Sequence, residues 1–234
     1  LAHGDFDRND LGGEAAVLDR LLGAGQRGNG IIVLRLAGEL DPQVRLVSGV
    51  KRDIELLRRV QAGPGERVTV LDIGHEQNRE EAARLIPRLA RFKIELVEQP
   101  LAVADRDGFA WLRAQQVGVP IFADESVSTV EGVNALVQNV DGIVIKLRKF
   151  GGLRLAHAAI ERARSLGLRT MMGCMIESSL AVTAAAHLAL CCDLADLDAP
   201  LLIRNDPFSG LTYRGSAVLL PPAAGIGAVP RGGN

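Results

Sequence analysis

Four short apolar runs in this chain each end in a charged residue: Val68-Thr-Val-Leu-Asp72, Ile94-Glu-Leu-Val-Glu98, Val119-Pro-Ile-Phe-Ala-Asp124 and Gly142-Ile-Val-Ile-Lys146. The charged residues follow one another at intervals of 26, 26 and 22 residues, close to the length of one strand, one helix and two loops. Successive parallel strands at that spacing close most simply into a barrel. Their C-terminal ends then converge on one mouth, where three carboxylates and a lysine meet.

The 234 residues suit one large α/β domain. Aromatic residues make up only 3% of the chain, so the core has to be aliphatic. With 27 basic and 28 acidic residues the net charge is −1, which gives no electrostatic reason to expect nucleic acid or an anionic membrane as partner. A small molecule is the expected partner. Cys174, Cys191 and Cys192 are odd in number and lack metal-ligand spacing, the usage of a reduced, cytoplasmic protein. No apolar run reaches the length of a membrane span and no signal pattern opens the chain. Its first residue is Leu1 rather than Met, so a fragment or a processed product is expected.

Gly13 to Leu22 has helical apolar spacing, and Gly23 and Gly25 can end that helix. Ile31 to Leu36 reads as a buried strand and Val44 to Val47 as a weaker one. Asp53 to Val60 is amphipathic. From Val68 onward strands and helices alternate, with helices predicted over 79–91, 106–116, 129–138, 153–166 and 178–191 and further strands over 169–173 and 194–197. Runs of Val, Ile and Leu without polar alternation are what parallel strands covered on both faces require. The barrel is assigned to residues 31–206, with 1–30 as a remnant of its first unit and the Gly- and Pro-rich 207–234 as an irregular C-terminal cover.

Three hard oxygen ligands from neighbouring strand ends suit magnesium, which takes carboxylates, water and substrate oxygens. Asp72, Glu98 and Asp124 are the candidates. Any one of them alone reads better as the cap of a following helix. Three in register, followed by Gln99-Pro100 in one loop and Glu125-Ser126 in another, favour the metal. Three anions without a cation would repel one another or take up protons. Lys146 faces them, and next to a divalent ion its pKa is expected to fall, making it a general base; the alternative is a salt bridge to one of the acids. Metal and base together point to removal of a proton α to a carboxylate, with the metal stabilising the enediolate.

The ordered set Leu71-Asp72, Val97-Glu-Gln-Pro100, Ala123-Asp-Glu-Ser126, Ile145-Lys-Leu147 with Gly151-Gly152, Met172 to Ser178, Asp196-Leu-Asp198 and Asp206-Pro-Phe208 resembles the enolase superfamily, most closely its dipeptide epimerases. The likeness runs from about Arg52 to Val229. It implies a TIM-type (β/α)7β barrel, incomplete here at the N-terminus. It also implies Mg2+ on Asp72, Glu98 and Asp124, with Lys146 as an acid/base group and Glu125 supporting the metal ligands from behind. Asp196 and Asp198 would take a dipeptide ammonium, and Cys174 and Ile176 lie in the loop that touches substrate. The bland alternative for the two aspartates is a solvated loop.

Members of that family carry Lys-x-Lys at the end of the second barrel strand. If Ile31–Leu36 is that strand, Val33 and Arg35 stand there; if Val44–Val47 is, Arg45 and Val47 do. Arginine is a poor base but can bind an oxyanion, so Arg35 joins the substrate-binding set. A one-base lyase or cycloisomerase, or a degenerate metal-binding barrel without turnover, is therefore the alternative to epimerisation. The usual Asp-Ala-Asn after the third strand is Asp72-Ile-Gly74 here, and His75 is given no role. The chain has no room for the family's N-terminal capping domain, so a homo-oligomer or a fragment is expected. Gly23-Ala-Gly-Gln-Arg-Gly28 matches a dinucleotide fingerprint, but a helix precedes it where a strand is needed.

Overall fold

Strands and helices alternate from Arg67 to Asp196, as the spacing of the apolar runs predicts. A computed structural model describes residues 33–34, 44–48, 67–72, 78–90, 94–105, 107–214 and 217–232. The strands are β1 (Val33–Leu34), β2 (Val44–Ser48), β3 (Arg67–Asp72), β4 (Leu96–Glu98), β5 (Ile121–Ala123), β6 (Gly142–Lys146), β7 (Arg169–Gly173) and β8 (Leu194–Asp196). Between them lie α1 (Arg79–Ala90), α2 (Gly108–Ala114), α3 (Val130–Leu136), the one-turn α4 (Leu147–Phe150) and α5 (Leu153–Ser165), then α6 (Ser179–Ala189). The sheet order is β1-β8-β7-β6-β5-β4-β3-β2.

From β2 to β8 every pairing is parallel. β1 departs from the all-parallel expectation and pairs antiparallel with β8. The place beside β3 belongs to Val44–Ser48, although Ile31–Leu36 has the stronger β-branched composition. The second strand of the parallel run is thus the weaker of the two candidates. Arg35, His75, the Gly23–Gly28 stretch, the helices at 13–22 and 53–60 and the 1–30 remnant lie outside the described residues.

Period-two alternation divides the strand side chains between two packing layers. Leu96, Phe122, Val144, Met171 and Leu194, one from each of β4 to β8, pack together as the inner layer. Their neighbours Val97, Ile121, Ala123, Ile143, Ile145, Met172 and Ala195 join the outer core beneath the helices. Gly142 makes room for that inner layer: a Cβ there would lie 2.4 Å from the Phe122 ring. α5 turns Ala156, Ala159, Ile160 and Ala163 to the sheet, all fully buried at helical spacing.

Helix starts follow local chemistry. Thr129 caps α3 by accepting from the Gly132 N–H at 3.0 Å. The Asn78 side chain accepts from the Glu81 N–H at 2.8 Å before α1. Gly151 sits at φ +81° between α4 and α5, a conformation that favours glycine.

The tail carries more order than its Gly and Pro content suggests. β9 (Phe208–Ser209) pairs with β12 (Val229–Pro230), and β10 (Thr212–Arg214) pairs with β11 (Ala217–Leu219). Among the described residues no helix is long and apolar enough to cross a membrane.

Candidate active site

Two residues beyond the inner layer come Glu98, Asp124, Lys146, Gly173 and Asp196. Alternation returns the strand residues among them to the inner face, one step nearer the C-terminal mouth. This explains why residues more than twenty positions apart meet. Lys146 Nζ donates to Asp124 Oδ2 at 2.5 Å and lies 3.7 Å from Glu98 Oε1. All three residues are buried. Gly173 is in register with Lys146, and a Cβ there would stand 2.9 Å from Val144 Cγ1 and 3.0 Å from Lys146 Cε. The Cα of Asp72 pairs with that of Glu98, so the third candidate ligand ends the neighbouring strand at the same level.

Burial alone would push the Asp124 carboxyl up, but the Lys149 and Lys146 ammonium groups outweigh it and hold its pKa at about 2. Burial likewise works against the Lys146 ammonium, and here Glu98 and Asp124 win, raising its pKa above the ordinary lysine value. The expected fall in its pKa concerns the site with a divalent ion bound; with the two carboxylates alone against it, Lys146 is held charged. The salt-bridge alternative is therefore realised with two acids. Glu125, beside Asp124, is raised by burial and by the Asp124 charge.

Asp196 and Asp198, flanking Leu197 at the end of β8, are both buried. Asp196 is pushed well above its ordinary value by burial, then by Asp198 and Glu98. Its Oδ1 has no hydrogen-bond partner among the described residues. Cys174 Sγ points at Asp198 Oδ1 over 3.9 Å, and burial with the two aspartates keeps its thiol protonated. Tyr213, from the tail, donates to the Leu197 carbonyl at 2.6 Å, fastening the β8 loop from outside. Ile176 is 63% exposed in the loop after β7. Leu147, Arg148, Gly151, Gly152, Glu177, Ser178 and Ala181 line an open groove of roughly 480 Å³ beside that loop.

Two residues were not found from the sequence. Lys149 donates to the Asp124 carboxylate, to the Asp124 carbonyl and, at 3.0 Å, to the Val144 carbonyl. Three N–H donors meeting three acceptors leave it no capacity for a substrate. Its signal was the i+3 spacing from Lys146 across a helix start. Gln99 lies between Glu98 and Pro100, buried and at φ +35°; the Glu-Gln-Pro tripeptide was its only trace.

Carboxylate oxygens are the donor set that magnesium takes. Glu98 and Asp124 already converge on one positive charge, the Lys146 ammonium, so by donor type and charge they fit a divalent cation. Among the described residues no three His, Cys, Asp or Glu side chains group closely enough to hold a metal; the side chain of Asp72 is not among those described.

The family model for enolase C-terminal domain-like proteins matches residues 27–232, and the chain belongs to that family. Its sheet is that of the TIM-type (β/α)7β barrel of the enolase superfamily. It is similar to an L-Ala-D/L-amino acid epimerase of Pedosphaera parvula, 40% identical over 182 residues, or 76% of this chain and 52% of that protein. The L-Ala-D/L-Glu epimerase of Bacillus subtilis is 35% identical over 189 residues, 77% of this chain and 51% of the relative. The chain spans about half the length of the curated relatives it matches.

Among solved structures, a substrate-liganded L-Ala-D/L-Glu epimerase from Bacillus subtilis superposes with a TM-score of 0.73 at 31% identity, covering 87% of this chain and 65% of that one. A dipeptide epimerase from Methylococcus capsulatus complexed with Mg ion gives 0.71 at 28% identity, covering 81% and 58%.

Proposed function

We propose that this barrel carries out magnesium-dependent abstraction of a proton α to a carboxylate, most like a dipeptide epimerase. The observation that carries the reading is the meeting of Lys146 with Glu98 and Asp124, with Asp196 buried opposite them at the end of β8. Likeness to dipeptide epimerases supports it. Asp72, Glu98 and Asp124 would hold Mg2+, and Glu125 stands behind Asp124. When bound, the ion supplies the positive charge that stabilises the enediolate left by proton removal.

Lys146 moves the proton: made neutral by the bound ion's charge, its Nζ would accept the proton from one face of the substrate α-carbon, and epimerisation further needs a proton delivered to the opposite face by a group other than Lys146. Asp196 and Asp198 receive the ammonium of a dipeptide, a charge-assisted pairing. Cys174 and Ile176 lie beside that end of the substrate.

A second reading is favoured by the strand beside β3. At its end stand Arg45, Val47 and Ser48, the last in register with Asp72, and none of these is a usable base at neutral pH. A one-base lyase or cycloisomerase needs only Lys146.

Incubation with Mg2+ and a panel of dipeptides in deuterated water, followed by NMR of the α-proton, separates the readings. Epimerisation predicts exchange with inversion. Exchange confined to one stereoisomer supports the one-base reading. Measured magnesium binding with no exchange for any dipeptide leaves a degenerate barrel and sinks the proposal.

A further inference from the structure

Among the described residues Gln99 is the one buried side-chain amide at the mouth, and its hydrogen-bonding capacity is full. Oε1 accepts from the Asp124 N–H at 2.8 Å and from the Ser126 N–H at 3.3 Å. Nε2 donates to the Leu101 carbonyl at 2.7 Å and to Ser126 Oγ at 2.8 Å. With 2% of its surface exposed, it has no part facing water.

These bonds continue the sheet by other means. β4 and β5 are parallel, and the Val97 and Gln99 N–H groups donate to the Pro120 and Phe122 carbonyls at 2.8 Å each. In a parallel ladder the next bond runs from the Asp124 N–H to the main-chain carbonyl of residue 99. Here the side-chain carbonyl of the same residue takes it. Gln99 adopts φ +35° and the chain leaves the sheet at Pro100, so the main chain has turned away while the side chain keeps the bond. A non-glycine residue holds such a conformation only when its surroundings enforce it. The strand neighbour Glu98 and the loop residue Asp124 are thereby fixed to each other through one uncharged side chain.

We infer that Gln99 is a positioning residue that sets the separation of the Glu98 and Asp124 carboxylates, so that both can bind one divalent cation. This rests on the reading of those two acids as metal ligands. Glutamate would not serve, because it lacks the N–H groups that meet Leu101 and Ser126 and would add an anion beside two others.

The test uses Mn2+ alone as a paramagnetic probe on the full chain, with affinity and line shape read by electron paramagnetic resonance. Gln99→Met keeps the length and removes every side-chain hydrogen bond; it is expected to weaken Mn2+ about 10- to 100-fold, as lost support behind a metal ligand does, and to broaden the spectrum of the remaining bound ion. Ser126→Ala, which removes one outer bond, should cost less. Ile160→Val in the core of α5 controls for stability and should leave affinity and line shape unchanged.

Wild-type binding with an unaltered affinity in Gln99→Met overturns the inference and leaves the metal reading intact. So does an Ile160→Val variant that weakens Mn2+ as much. Wild-type protein that binds no Mn2+ overturns both. Should Gln99→Met not fold, amide exchange in the wild type decides: Asp124 and Ser126 protected like β5 support the clamp, and exchange at loop rates refutes it.

Discussion

Asp124 and Asp196 lie at the same mouth, both two positions past an inner-layer residue and both buried, yet their ionisation is driven in opposite directions. Burial acts upward on each. Asp124 has two ammonium groups on its carboxylate and is held at about 2. Asp196 is driven up by burial and then by the charges of Asp198 and Glu98, which Lys146 offsets only in part. The position of the lysines, rather than the depth of burial, separates an acid kept ionised from one driven toward its neutral form. The β8 end is therefore short of positive charge while Asp124 at the β4–β6 end is met by two ammonium groups, an asymmetry that fits the proposed approach of a substrate ammonium to β8.

Removing a cation from the Asp124 side should break that contrast most strongly. In Lys146→Met, Asp124 loses one of its two ammonium partners and its pKa should rise above about 2, as read by NMR titration of labelled aspartate. The α-proton exchange proposed for the enzyme should fall by ~10²- to 10⁴-fold, the usual weight of a general base. Unchanged exchange would remove Lys146 from the mechanism.

A gentler disturbance moves the lysine without deleting it. The methyl group of Gly173→Ala has to displace Val144 Cγ1 and Lys146 Cε, at 2.9 and 3.0 Å. Overpacking of this kind costs about 2 kcal/mol. Thermal melts should show that loss, and exchange should slow further than the stability change explains.

The contrast between the two ends was partly legible in the sequence. Glu98, Asp124 and Lys146 could be brought together from spacing, because an apolar run followed by a charge fixes both the strand and the end at which its side chain emerges. Lys149 was not legible because it follows a change of period, from two in β6 to 3.6 in the single turn of α4. Gln99 was missed because its role depends on a positive φ, which the Glu-Gln-Pro tripeptide does not announce.

The sequence left the strand beside β3 open between two segments: Ile31–Leu36 is richer in β-branched residues, but pairing with β3 went to Val44–Ser48, since neighbours rather than propensity decide strand placement. The tail strands, two or three residues long, are too short to show any period.

Asp206 sharpens the comparison with a third solution, an acid held low mainly by hydrogen bonds. Its Oδ2 accepts from the Ser179 N–H at 2.6 Å and the Ser179 hydroxyl at 2.7 Å, and Oδ1 accepts from the Phe208 N–H at 3.0 Å. Burial pushes it up, but these donors, with a smaller contribution from Arg231, bring the pKa below the usual value. Ser178 makes no side-chain cap at the start of α6, so Asp206 caps that helix from the tail.

Asp206→Ala should cost about 1.5 kcal/mol. A lowered folded-state pKa means that stability from the ionised form is present above the unfolded value of roughly 3.9 and is lost as pH falls through the folded one. Wild-type stability should therefore decline toward acid with a component that Asp206→Asn lacks, measurable by urea titration across that range.

The smallest effect, and of opposite sign, is expected at Asp196. Its raised folded-state pKa means that folding disfavours the charged form, a penalty present at pH above that value and relieved as pH falls. Asp196→Asn removes the charge at nearly constant shape, so it should raise the melting temperature at neutral pH and flatten the pH dependence that wild type shows. If Asp196 serves a substrate ammonium, the same variant should raise KM for a dipeptide while the metal probe binds unchanged. A stability loss instead would mean that the Asp196 carboxylate is held by partners as Asp206 is, and that the two ends of the mouth do not differ in the way their charges indicate.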